Sequence, residues 1–149
     1  MIREIRKVYN KYKSYDYIDQ DFSNYHIKST NEFEELYGGI CWDFVVAIAN
    51  ELNKYDLSYK CYFSEVQKEN KTIATHTYII IDDTYWIECS WQKYKGIYII
   101  DSFTDIEGLL LEFYNCDEVH TVIYNPLDTV GKTDKEFFSY LNLYGIEVS

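Results

Sequence analysis

The sequence predicts an α+β protein in which a central helix bearing a cysteine packs on an antiparallel β-sheet. Three observations carry this. Cys41, Phe44, Val45, Ile48, Ala49 and Leu52 recur at i, i+3, i+4 and i+7, so the stretch Cys41–Lys54 is the strongest helix in the chain. Two runs of β-branched and aromatic residues, 75–81 and 85–91, flank Asp82, Asp83 and Thr84 and read as a hairpin. Helical patterns come first and strand patterns follow, with no internal repeat and no linker, so the 149 residues form one domain.

Taken in order, Ile2, Ile5, Val8, Tyr9 and Tyr12 share one face of an opening amphipathic helix of about three turns. No period holds over residues 14–27, which read as a long loop or short irregular pieces. Ser29 followed by Glu32 fits a capping box for a short helix through Leu36, ended by Gly38 and Gly39. Beyond the main helix, residues 59–66 alternate as a strand does, and a polar turn around 68–71 leads into the hairpin. Residues 97–100 are a further strand. Thr104 caps a helix with Ile106, Leu109, Leu110 and Phe113 on one face, and residues 119–124 form a strand ending at Pro126. Thr133 with Glu136 is a second capping box, opening a final helix through Phe137, Leu141 and Tyr144 before Gly145.

Charge and composition exclude several classes of function. With 14 Lys+Arg against 25 Asp+Glu the net charge is −11, which disfavours binding to a phosphate backbone. The 47% hydrophobic content, with one Pro and six Gly, supports a real core and rules out disorder. Arg3, Arg6, Lys7, Lys11 and Lys13 face only Glu4 among the first thirteen residues, a net of +4 that leaves −15 for the rest. This pattern reads as a solvated helix face docked on an acidic body. The four cysteines, Cys41, Cys61, Cys89 and Cys116, are too few for a disulfide framework and read as free thiols of a cytoplasmic protein. No leader-like apolar run and no stretch approaching the ~18 residues of a membrane span is present, so no membrane role is expected.

Thiol chemistry needs an exposed thiolate, a base within reach and a group that orients the base. Cys41 follows Gly38, Gly39 and Ile40 at the start of the strong helix, where free backbone N–H groups and the helix dipole favour negative charge. The glycines there permit a tight approach and leave room for a substrate backbone. Against this stands the fact that a free cysteine is commonly just a small buried residue. His76 lies at the start of the 75–81 run and supplies the base. His26, in the irregular region, and His120, in a late strand, are less well placed.

Hairpin register decides the third member, because side chains alternate between faces. A three-residue loop of Asp82, Asp83 and Thr84 sets Ile81 opposite Tyr85. His76 then lies opposite Ser90 and diagonal to Glu88 on one face, within reach of a carboxylate to imidazole hydrogen bond. A two-residue turn at Asp83 and Thr84 would send Glu88 to the other face. The catalytic reading therefore expects an odd-length loop.

The strings GGICWDF, THTYIII and YWIECSW resemble, in that chain order, the Cys, His and acid motifs of the transglutaminase-like branch of the papain-like cysteine protease superfamily. Small bacterial and mobile-element proteins with GICWD, THT and WFE-like motifs are similar. The resemblance covers roughly residues 30 to 100. It implies a papain-like or transglutaminase-like fold with Cys41 as nucleophile, His76 as base and Glu88 as orienting acid, and it implies no cofactor. Two departures stand out: the acid is Glu where the superfamily usually has Asp, and Glu35 lies near the place where papain-type proteases carry an oxyanion-hole Gln. The Cys41 backbone N–H supplies one oxyanion donor, and the second is open. GGICWD is also similar to arylamine N-acetyltransferases, whose extra coenzyme A domains this sequence lacks.

No CxxC, CxH or HxxxH spacing is present, so no metal site is expected. Asp82 and Asp83 read as a solvated turn. Gly38 and Gly39 lack the strand and the Lys-Ser/Thr of a phosphate loop. Trp42, Tyr37, Gly39 and Trp91 lie beside the three chemical residues and are expected to bind substrate, while Trp86 reads as core. The expected activity is that of a thiol hydrolase or acyltransferase (protease, deamidase or transglutaminase) acting on a peptide or carboxamide bond, with a basic protein or peptide partner suited to the acidic body. A catalytically silent protein-binding module on the same fold is the alternative, and the sequence leaves the oligomeric state open.

Overall fold

The computed structural model describes residues 1–148. Helix α1 (Ile2–Tyr12) buries Ile5, Val8 and Tyr12. Its Lys11 reaches Glu51 at 2.7 Å and Glu34 at 3.2 Å, so the basic helix docks on acidic groups of the body. Strand β1 (Asp16–Tyr17) lies in the period-less region, as does a 3₁₀ turn at Phe22–Asn24. Helix α2 (Thr30–Leu36) starts with the Ser29/Glu32 capping box.

Helix α2 does not end at a glycine, contrary to expectation. Tyr37 takes the left-handed cap with φ 57°. Gly38 and Gly39 form β2 (Gly38–Gly39), paired in parallel with β1. A Cβ on Gly38 would run into the Asp16 carbonyl, and one on Gly39 into the Asp43 carboxylate. Both glycines thus serve close internal packing, not substrate room. Helix α3 (Cys41–Lys54) has the expected bounds and is almost wholly buried.

Strands β3 (Tyr59–Lys68) and β4 (Lys71–Ile81) are longer than their apolar patterns indicate. Glu69 and Asn70, both at positive φ, make a two-residue turn that lets pairing run to its ends, with a bulge between Val66 and Gln67. Strand β5 (Tyr85–Glu88) stops three residues earlier than expected, where the chain bends into a 3₁₀ turn at Gln92–Tyr94. Strand β6 (Gly96–Ile99) leads to helix α4 (Phe103–Tyr114), whose cap is Ser102, not Thr104: the Ser102 hydroxyl accepts from the Thr104 N–H. Strand β7 (Glu118–Tyr124) is followed by a 3₁₀ turn at Pro126–Thr129. Helix α5 (Asp134–Tyr144) opens with the Thr133/Glu136 capping box, and β8 (Ile146–Glu147) closes the described chain.

The main sheet is antiparallel throughout and ordered β6-β5-β4-β3-β7-β8. Strand alternation divides the core in two. Cys61, Phe63, Ile79, Ile81 and Ile87 face α1, α3 and α5, whereas Tyr62, Val66, Tyr78, Ile80 and Trp86 face Ile106 and Leu110 of α4. The result is an α+β fold with helices on both faces of one sheet. Among the described residues, no helix is long and apolar enough to cross a membrane.

Candidate active site

The hairpin has the odd-length loop. Ile81 pairs with Tyr85, Ile80 with Trp86 and Ile79 with Ile87. Asp82 and Asp83 adopt positive φ, and the Thr84 N–H closes on the Ile81 carbonyl at 3.0 Å. In this register His76 and Glu88 share a face, and His76 Nε2 donates to Glu88 Oε1 at 2.7 Å. Because β4 begins at Lys71, His76 lies inside the strand and not at its start. Strand β4 runs on past the end of β5, leaving a gap beside His76. Cys41, at the head of α3, and the last turn of α4 border the same gap.

Glutamate suits this site because its longer arm serves two partners. While Oε1 holds His76, Oε2 accepts from the Ser90 N–H at 2.9 Å, the Ser90 hydroxyl at 3.0 Å and the Trp91 N–H at 2.9 Å. The bend after β5 folds these donors back under the carboxylate. Burial alone would raise the Glu88 carboxyl, but the charge of His76 and these hydrogen bonds outweigh it and hold it below its ordinary value. Burial likewise works against an imidazolium at His76. The charge of Glu88, with hydrogen bonding and charge from Cys41 and Glu88, overrides it and raises His76 well above its ordinary value. Each group thus favours the charged form of the other, an imidazolium beside a carboxylate. With Nε2 committed to Glu88, Nδ1 is the nitrogen left for proton exchange with the thiol.

Cys41 is the first residue of α3 and only 6% exposed. The start of that helix is fixed by Asp43, which is fully buried. One Asp43 oxygen accepts from the Ile40 N–H at 2.9 Å, and the other accepts from the Tyr25 hydroxyl and the Lys28 N–H, each at 2.8 Å. The Lys28 ammonium lies 3.5 Å away. The first N–H groups of a helix have no intrahelical acceptor, so this end of α3 offers donors to an anion beside the thiol.

Cys41 and His76 line one cavity of about 340 Å³, together with Tyr17, Ser90, Trp91 and Tyr114. Trp91 meets the His76 ring edge-on at 5.3 Å, and Tyr78 stacks on it at 5.7 Å. The other three residues expected at the substrate are placed elsewhere. Trp42 is buried against Phe137, Phe22 and Tyr25. Tyr37 stacks on Tyr15 at 4.2 Å and shares a hydrogen bond with Ser14. The space above Gly39 is occupied by Asp43. Trp86 is core, stacked on Tyr98. Glu35 is exposed on α2 and is not in the cavity lining.

Tyr17 was not visible as a site residue in the sequence, since nothing periodic marks the two-residue strand that carries it. Pairing with β2 sets it abreast of Gly39, two residues before Cys41. The residue is 44% exposed, but partial desolvation, then the charge of Cys41, raise its phenol, so the hydroxyl keeps its proton and can donate. Strand register alone sets Ser90 opposite His76; the bend instead makes it a double donor to Glu88.

The remaining thiols are structural. Burial pushes Cys61 up to about 12 and raises Cys89 further, and Cys116 is half-buried. His26 pairs with exposed Glu32 at 2.8 Å, and His120 lies 3.9 Å from Glu118. Among the described residues, no three His, Cys, Asp or Glu side chains converge as a metal ion would require. No protein-family model, no curated protein and no solved structure matches this chain.

Proposed function

We propose that this chain is a thiol-dependent hydrolase or acyltransferase of the transglutaminase-like, papain-like kind. The observation that carries the reading is the 2.7 Å bond between His76 and a fully hydrogen-bonded Glu88, at a cavity whose wall includes a cysteine at a helix N-terminus. A central helix bearing Cys41 and packed on an antiparallel sheet supports the same fold assignment.

In this mechanism Cys41, as thiolate, attacks the carbonyl carbon of a peptide or carboxamide. Negative charge gathers on the carbonyl oxygen, where the Cys41 backbone N–H and the Tyr17 hydroxyl are the donors. His76 passes its Nδ1 proton to the departing amine, the C–N bond breaks and a thioester remains. Water or an amine, giving its proton to His76, then attacks the thioester; the C–S bond breaks, the acid or new amide leaves, and the Cys41 thiolate and His76 imidazolium are restored. Glu88 keeps the imidazole oriented and compensates its charge throughout. No cofactor enters these steps.

Alkylation by iodoacetamide at mildly acidic pH tests the reading. Fast labelling of Cys41 in the native protein, lost in His76→Ala, is expected. Slow labelling that His76→Ala leaves unchanged would overturn it in favour of a catalytically silent binding module. Mass spectrometry of candidate proteins incubated with wild type and with Cys41→Ala then separates cleavage, deamidation and crosslinking.

A further inference from the structure

Beyond the thiol and imidazole, the cavity has a lining of definite chemistry. Leu110 and Phe113 of α4 and Trp91 form an apolar wall, with the Trp91 and Phe113 rings edge to face at 5.4 Å. Lys93 also lines the cavity, its ammonium 5.2 Å above the ring of Phe113 and 5.5 Å above that of Tyr94. No carboxylate belongs to the lining; the His76 charge is compensated by Glu88 behind it at 2.7 Å, which leaves the Lys93 ammonium as the cation a ligand in the recess meets. The carboxylates acting on Tyr17, Asp19 and Asp43, lie outside it. The recess thus has a cationic corner at Lys93 on a chain of net charge −11.

We propose that the cavity selects an acidic-aromatic peptide segment as acyl donor, placing an aromatic or large apolar side chain against Trp91, Leu110 and Phe113 and a carboxylate beside Lys93. The proposal rests on the thiol-acyltransfer reading and gives it a substrate class. A volume of about 340 Å³ lies in the range of roughly 300–1,000 Å³ typical of ligand pockets. The acidic body as a whole favours a basic partner at long range, but Lys93, at the edge of the acyl-donor site, has the opposite sign. Potentials decay over about 8 Å at physiological salt, so the lining governs what sits next to Cys41.

Three thiol reagents of different character test this on the intact protein: neutral iodoacetamide, anionic iodoacetate and the aromatic 2-iodo-N-phenylacetamide. Rates are expressed relative to iodoacetamide and to free cysteine, so that reactivity of Cys41 as such divides out. The expected result is that wild type favours both the anionic and the aromatic reagent. In Lys93→Glu the iodoacetate ratio falls by about threefold or more, the scale of reversing one charge near the surface. Lys7→Glu makes the same change in net charge at an exposed position of α1 outside the lining, and keeps the wild-type ratio. Phe113→Ala lowers the ratio for the aromatic reagent. An iodoacetate ratio that is the same in wild type and Lys93→Glu, or an aromatic ratio no higher than that of free cysteine, overturns the proposal while rapid iodoacetamide labelling leaves the catalytic reading standing. Slow iodoacetamide labelling indifferent to His76→Ala overturns both.

Discussion

His76 and Glu88 stand twelve residues apart in the chain and meet at 2.7 Å because a three-residue loop puts them on the same sheet face. Glu88→Gln retains the shape and the oxygen but loses the charge that favours imidazolium. Acyl transfer to p-nitrophenyl acetate is expected to fall by about 10²-fold or more, with iodoacetamide labelling at mildly acidic pH slowed as well. Glu88→Ala also strips His76, Ser90 and Trp91 of their acceptor and is expected to lower unfolding stability by about 3 to 5 kcal/mol in urea titrations.

The same pair makes stability depend on pH in a defined window. His76 is raised from 6.5 to about 10, so its contribution is complete below pH 6.5 and is lost as pH climbs toward 10. Glu88 is lowered from 4.5, so its contribution is complete above pH 4.5 and is lost as pH falls through its lower folded value. The stability gap between wild type and Glu88→Gln is therefore expected to be widest between about pH 4.5 and 6.5. Chemical denaturation of both proteins across pH 3 to 10 measures it, and a flat difference would contradict the ion pair.

Tyr17→Phe removes one hydroxyl from a residue that lines the same cavity as the nucleophile. If that hydroxyl meets the developing oxyanion, acylation by p-nitrophenyl acetate drops by about 10- to 100-fold, approaching the loss seen when an oxyanion donor is removed. Alkylation by iodoacetamide builds no oxyanion and is expected to fall far less. Equal losses in both reactions would point to misplacement of Cys41 instead.

Asp43 collects donors from Ile40, Tyr25 and Lys28 at the head of α3 with no exposure to solvent. Asp43→Ala leaves three buried donors without an acceptor, and a loss of about 3 kcal/mol or more is expected. Gly39→Ala drives a methyl group into that carboxylate, and about 1 to 3 kcal/mol of overpacking is expected. Both effects are read from denaturation midpoints at constant slope.

Much of this site was legible in the sequence because its logic is local. Apolar periodicity gave the bounds of α3, and loop length set the register that joins His76 to Glu88. What escaped depends on contacts between distant segments. Trp42 follows the nucleophile yet turns inward, because Phe137 of α5 packs against it at 4.6 Å. Tyr37 caps α2 because the glycines after it are held by β1. At α4 two hydroxyls stand two residues apart and either fits a cap, so composition alone did not choose Ser102 over Thr104.

The segment between α1 and α2 has almost no regular structure, yet it is pinned to the head of the cysteine helix at both ends: Tyr17 and Ile18 run beside Gly39, and Tyr25 and Lys28 bind Asp43. These ties join the surroundings of Cys41 to a stretch of chain that the sheet does not hold. Opening of that stretch as a separate unit would dismantle the surroundings of the thiol while leaving the His76 and Glu88 hairpin intact. Amide exchange at Ile18 and Lys28 would then track loss of thiol reactivity at denaturant levels where the sheet amides are still protected.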